Sequence, residues 1–191
     1  MRLRSEPRPG PLRRLLLPAL LLLAALPARA AWRDPVQRLM DGLRARPDEA
    51  TLRRLLAATL DFSRPARFIL RGQPGATPQA EARLAHALEA RFMAEWRRRV
   101  PQSGTLDWLE ERPLQPNGAL LLARFTPDGD GTPVILGFQV EDMPAGPRIV
   151  DFHRDGVSLM RTQRSELGAL VQRLGSLEAA LAALEAPPRG S

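Results

Sequence analysis

The chain is 191 residues long, 44% hydrophobic, 26% charged and 5% aromatic, without a single cysteine. That composition excludes a disordered, collagenous or disulfide-stapled protein, and with it thiol catalysis and cysteine-ligated metal. The formal charge of +7 points toward nucleic acid, yet six of the 28 basic residues, all arginine, lie in the first 30 positions against one acid, Glu6.

Those 30 residues read as a secretory signal: arginines at the start, an apolar run from Leu15 to Leu26, then Ala28, Arg29 and Ala30 in the small-x-small pattern of a cleavage site. The run is 12 residues, against the roughly 20 needed to span a bilayer. Nothing else of a twin-arginine signal surrounds Arg13 and Arg14. Cleavage after Ala30 leaves 161 residues with 22 arginines and 20 acids, a net charge of +2, so the case for nucleic acid lapses. Export from the cytoplasm follows as an expectation. Residues 31–186 are read as one domain with a tail at 187–191; at this size roughly 70% of the unfolded surface is buried, which allows a core and a cavity without disulfides.

Asp34 and Pro35 read as a helix start, with Val36, Leu39, Met40 and Leu43 at helical spacing before Pro47. Asp48 caps a second helix whose Leu52, Leu55, Leu56 and Leu60 share a face, and a short third helix runs from Phe62 to Leu70, ending at Gly72. Thr77 and Pro78 open the longest helix, to about Arg99, with Leu84, Leu88, Phe92 and Trp96 at successive i+4 steps. This stripe suits either a packed core or the wall of a ligand pocket. Arg97, Arg98 and Arg99 then complement the helix dipole or offer a docking patch for an acidic partner or anionic headgroups.

After Pro101 the pattern turns to strands, at 105–110, 119–125, 133–140 and 148–154, joined by turn-rich stretches and expected to form an antiparallel meander. In the third, Val134, Leu136, Phe138 and Val140 alternate with Ile135, Gly137 and Gln139, so the helices should cover the first face. A helix from Leu159 to Leu174 and a last short one capped by Ser176 close the chain. The expected fold class is α+β: N-terminal helices on a four-stranded antiparallel sheet, then C-terminal helices, with an apolar pocket between the layers.

Local signals for catalysis are sparse. His153 shares a strand face with Asp151 and precedes Ser158, but strand neighbours two apart rarely orient a Ser-His-Asp triad, and His86 sits at the edge of an apolar stripe. The Asp128 to Gly131 stretch resembles the start of a calcium loop, yet Pro133 and Gln139 stand where glycine and glutamate are required. The chain lacks an HExxH motif, a P-loop and a GxGxxG motif. The expectation is a protein without metal or cofactor that is not an enzyme.

Three stretches carry a resemblance that spans nearly all of residues 31–191. Leu60, Asp61 and Phe62 with Arg67, Ile69, Leu70 and Gly72 are one; Ala76 to Phe92 is another. The most specific is Asp151 to Leu167, with Gly156, Val157, Ser158, Leu159, Arg164 and Ser165 in place. Together they resemble the MlaC phospholipid-binding family, the toluene-tolerance auxiliary components of ABC transporters. The chain departs from the family at QPGA after Gly72, where a tryptophan is usual, at Pro65, where a methionine is usual, and at AGPRIV, which lacks a tryptophan.

The resemblance implies a soluble periplasmic carrier that holds a diacyl phospholipid, or a related lipid such as a hopanoid, between sheet and helices. It implies exchange with an inner-membrane ABC transporter complex and an outer-membrane lipoprotein complex, for which a monomer is best suited. The expected lipid-binding wall is Leu84, Leu88, Phe92 and Trp96 facing Val134, Leu136, Phe138 and Phe152, closed by Val157 and Leu159. Arg161 and Arg164 are expected to meet the headgroup or a partner, with Arg164 equally suited to anchoring the helix start. Two rival readings are a small periplasmic enzyme on a cone-shaped α+β fold, with Asp151 and His153 as its pair, and an interaction protein with a filled core. Pocket lining separates them, since an enzyme needs convergent polar groups and a carrier an apolar cavity.

Overall fold

The computed structural model describes residues 28–98, 104–129 and 131–186. Residues 1–27 of the expected signal, Arg99, Asp130 and the tail at 187–191 lie outside the described residues, as do the side chains of Trp96, Arg97 and Arg98. Four helices come first: α1 (Ala28–Arg44), α2 (Glu49–Thr59), α3 (Ser63–Leu70) and α4 (Pro78–Arg98). Strands β1 (Gly104–Leu114), β2 (Gly118–Pro127), β3 (Val134–Glu141), β4 (Arg148–Arg154) and β5 (Val157–Ser158) follow, then α5 (Leu159–Leu174) and α6 (Leu177–Glu185).

The caps lie where short polar side chains precede apolar runs. Asp48 accepts a hydrogen bond from the Thr51 N–H at 2.7 Å, Thr77 from Ala80 at 3.1 Å and Ser176 from Ala179 at 3.1 Å. Asp61 accepts from the backbone of both Ser63 and Arg64, which lets Pro65 sit in the first turn of α3, where its missing N–H costs nothing. The first helix differs from expectation. It begins at Ala28 and runs through Pro35, because the alanine-rich residues ahead of the proline favour helix enough to absorb one lost hydrogen bond.

The sheet is an antiparallel meander in the order β1-β2-β3-β4-β5, with five strands rather than four. The fifth exists because Asp155 and Gly156 both take positive φ, +50° and +83°, and fold the chain back so that His153 pairs with Ser158. Asp155 also ties this turn to β3, its Oδ1 accepting from the Ile135 N–H at 3.1 Å. A bulge opposite Gln139 and Val140 leaves Val150 as an extra residue in β4.

Two separate apolar clusters hold the fold. In the first, α1 and α2 lie on the inner face of β2 to β4, burying Val36, Leu39, Leu52 and Leu56 against Leu121, Phe138 and Val140. In the second, α3 to α6 pack together through Ile69, Leu70, Leu84, Leu167 and Leu181. Helix α4, roughly 31 Å long at 1.5 Å per residue, joins the two: Leu84 belongs to the second and Met93 to the first. Among the described residues no single helix is long and apolar enough to cross a membrane.

Arg164 of α5 links the C-terminal carbonyls of α3, donating to Phe68 O at 3.2 Å and Arg71 O at 2.8 Å while its guanidinium lies 5.1 Å from the Phe68 ring. Of the two roles expected for this arginine, anchoring is the one its geometry serves. Arg164→Ala is therefore expected to lower stability by about 1–3 kcal/mol, read from a urea midpoint; an unchanged midpoint would show that these bonds do not hold α3 to α5.

Candidate functional site

Between the two clusters lies a cavity of about 490 Å³. One wall is α3 and its approach, where Phe62, Pro65 and Ile69 repeat at helical spacing; Leu88 and Phe92 of α4 form a second, and Ile149, Val150 and Phe152 of β4 a third. Leu159, Met160 and Gln163 of α5 complete it. Exposed lining residues mark its opening between Arg91 on α4 and Leu159 on α5, the latter 46% exposed. A second cleft of about 330 Å³ continues from it toward α6, sharing Ile69, Leu88, Arg91 and Gln163 and adding Leu84, Leu170 and Leu184.

Aromatic rings connect the cavity to the first cluster. Phe92 meets Phe62 edge-on at 6.2 Å and stacks on Phe152 at 5.8 Å, and Phe152 rests on Phe138 at 5.9 Å. The structure thus gathers Leu84, Leu88, Phe92, Phe152 and Leu159 of the expected wall along one groove. Phe138 stands behind Phe152 in the first cluster, Leu136 packs against that cluster, and Val134 lies at the start of β3 opposite Phe125, so none of the three lines the groove. Their displacement has a physical cause: α1 and α2 already cover the middle of the sheet, so the cavity forms only at the β4 edge. Val157 is 63% exposed on the β5 hairpin and closes nothing.

The α3 wall and Met160 lie outside the wall that the sequence suggests. The spacing of Phe62, Pro65 and Ile69 at i, i+3 and i+7 carried the signal for the former. Pro65, one of the departures from the family pattern, stands directly in the cavity wall.

Beside the cavity, Asp151 is 4% exposed and fully engaged. Its carboxylate accepts from Ser158 Oγ at 2.5 Å, from the N–H groups of Phe152 at 2.8 Å and Met160 at 2.9 Å, and lies 3.2 Å from His153 Nε2. Burial alone would raise the pKa of Asp151, but the adjacent His153 imidazole and the hydrogen bonds from Ser158 and Met160 outweigh it and hold the carboxyl below the ordinary carboxylate value. Gly137 makes room for the histidine, since a Cβ there would come within 2.9 Å of His153 Cβ.

This arrangement is the wrong order for a catalytic triad. Ser158 and His153 both address Asp151 Oδ2, so the acid stands between hydroxyl and imidazole, whereas activation requires the imidazole in the middle. Ser158 also accepts from the Arg161 N–H at 3.1 Å as the cap of α5. The trio fastens the β4–α5 junction. Among the described residues no group of three His, Asp or Glu side chains is placed to hold a metal ion.

The family described as "MlaC protein" matches residues 39–186. Among solved structures, the chain is similar to the phospholipid-binding protein from Ralstonia solanacearum in complex with a phospholipid, with a TM-score of 0.68 and 15% identity over 83% of this chain and 94% of that one. At that identity the likeness is one of fold. Among curated proteins none matches.

Proposed function

The chain belongs to the MlaC family, and from that premise we propose that it is a periplasmic carrier whose groove between α3, α4, α5 and β4 takes the acyl chains of a phospholipid or related lipid. The observation that carries this reading is the cavity of about 490 Å³ lined mainly by apolar side chains, among them Phe62, Ile69, Leu88, Phe92 and Phe152, with the charged Asp61, Arg91, Glu95 and Asp151 as the minority of its lining and Arg91 at the opening. It is supported by a structural neighbour whose own complex holds a phospholipid.

Physical chemistry explains why such a groove suits transport. Exposing an acyl chain of about 16 carbons to water costs roughly 0.8 kcal/mol per methylene, more than about 10 kcal/mol per chain, so unassisted crossing of an aqueous gap is slow. Transfer from bilayer to apolar groove exchanges one hydrocarbon environment for another and costs little. Donor and acceptor complexes at the two membranes, an ABC transporter complex at the inner and a lipoprotein complex at the outer, can then set direction by docking to a monomeric carrier.

Mass spectrometry of an organic extract of the full chain, expressed with its N-terminal segment and purified from periplasm without detergent, tests the proposal. A near-stoichiometric diacyl lipid is expected. Folded protein with no lipid above background would overturn it in favour of an interaction protein whose groove carries no lipid.

A further inference from the structure

Across Asp151 and Met160 from the apolar groove lies a second cavity of about 610 Å³, and its lining is of another kind. Its floor is the outer face of the sheet, with Leu120, Leu122 and Ile135. Its rim carries Arg64, Arg67 and Arg71 at i, i+3 and i+7, one stripe of α3 and its end, together with Arg112 and Arg161. Most of these charges are matched: Arg64 meets Glu141 at 2.6 Å, Arg67 meets Glu81 at 3.4 Å and Arg112 meets Glu110 at 2.6 Å. Asp151 also borders the cavity, but its oxygens are taken up by their own donors. Among the described residues, that leaves Arg71 and Arg161 with no carboxylate partner.

These two arginines flank the gap between the end of α3 and the first turn of α5, and the bonds of Arg164 to Phe68 O and Arg71 O fix that gap. Two guanidinium groups without a carboxylate partner thus border one cavity with an apolar floor, and guanidinium is the side chain whose planar donors match the oxygens of a phosphoryl group. We propose that Arg71 and Arg161 bind a phosphate-type anion, a phosphomonoester or phosphodiester, in this second cavity. Because Val150, Asp151 and Met160 border both cavities, the anion is the headgroup of the carried lipid or a free phosphate ester; the former source rests on the carrier reading.

The test compares the full-length protein with an Arg71→Gln/Arg161→Gln double variant. Both side chains are exposed, so the double variant should melt with the parent. Each protein is incubated with vesicles of equal parts phosphatidylglycerol and phosphatidylethanolamine and the ratio of the two lipids taken up is measured; lipid-free protein is separately titrated with glycerol phosphate and followed by phosphorus NMR. Both lipids carry the phosphodiester, but only phosphatidylethanolamine adds an ammonium that two uncompensated guanidinium groups repel, so the parent is expected to enrich phosphatidylglycerol about threefold or more, and the double variant to lose the enrichment. No enrichment, but saturable glycerol phosphate binding that the double variant loses, would equally support the site and name the free ester as its ligand. Identical lipid ratios in both proteins with no saturable phosphate binding would overturn it. If the parent takes up neither lipid, the carrier reading fails instead, and the titration alone decides this one.

Discussion

Asp151→Ala will melt roughly 6–20 °C below the parent, from a loss of about 3–5 kcal/mol at 2–4 °C per kcal/mol for a domain of this size. The substitution removes a buried acceptor and leaves the Ser158 hydroxyl and the Met160 N–H, 2.5 and 2.9 Å from it, without a partner. Asp151→Asn should lose less, about 1–2 kcal/mol, because one oxygen still serves the Phe152 and Met160 N–H groups. The effect depends on pH with a definite sign. The folded pKa lies below the ordinary carboxylate value, so the contribution of the carboxylate is complete above that ordinary value and drains away as pH falls through the lower folded value. Melts at pH 7, 5, 4 and 3 should show the gap between parent and Asp151→Asn steady to about pH 5 and narrowing below pH 4. A gap that stays constant to pH 3 would refute the role assigned to the charge.

Leu88→Trp is expected to reduce lipid recovered with the protein by about 5- to 100-fold, the consequence of roughly 1–3 kcal/mol of overpacking in a filled groove. Leu88 is the position of choice because it lines both the main cavity and its extension toward α6. In the lipid-free protein the added ring fills empty space, so the melting temperature should not fall. Leu136→Trp serves as the contrast: it faces the first cluster and not the groove, so any loss of lipid it causes should come with lost stability. Quantitative lipid extraction beside thermal melts separates the two. Equal lipid in parent and Leu88→Trp would place the cargo elsewhere.

Where structure is dictated by neighbours in sequence, the chain was readable. β4 at Arg148–Arg154 and α5 at Leu159–Leu174 fall where the strand pattern and the Ser158 cap put them. β1 is longer than its pattern suggests, reaching Leu114 through Glu110, Glu111, Arg112 and Pro113, because an edge strand tolerates charge and proline that a central one rejects. β5, at two residues, is too short to have a period. Leu84, Leu88 and Phe92 of the α4 stripe share one face, but a 21-residue helix can serve two cores along one face, and nothing local says where one packing partner gives way to the next. The contact of Ser158 with Asp151 depends on a hairpin folding seven residues back on themselves, and its order of donors and acceptor is a property of three dimensions alone. The choice of β4 rather than β3 as a cavity wall was equally hidden, since it follows from α1 and α2 occupying the sheet first.

The groove lies at a seam between two independently packed clusters, not within either, and this governs its mechanical behaviour. Close-packed interiors resist compression and expansion, so a cavity hollowed from a single core would have a fixed calibre. A gap between two packed halves has fewer interlocked side chains across it, and its width is set by the elements anchored on both sides, α4 through Leu84 and Met93 and the β4–α5 junction through Asp151. The rings of Phe62, Phe92 and Phe152 line that joint, in contact with one another across it. On the carrier reading, the girth of an acyl chain that fits is then a property of how far apart those two anchored elements hold the halves.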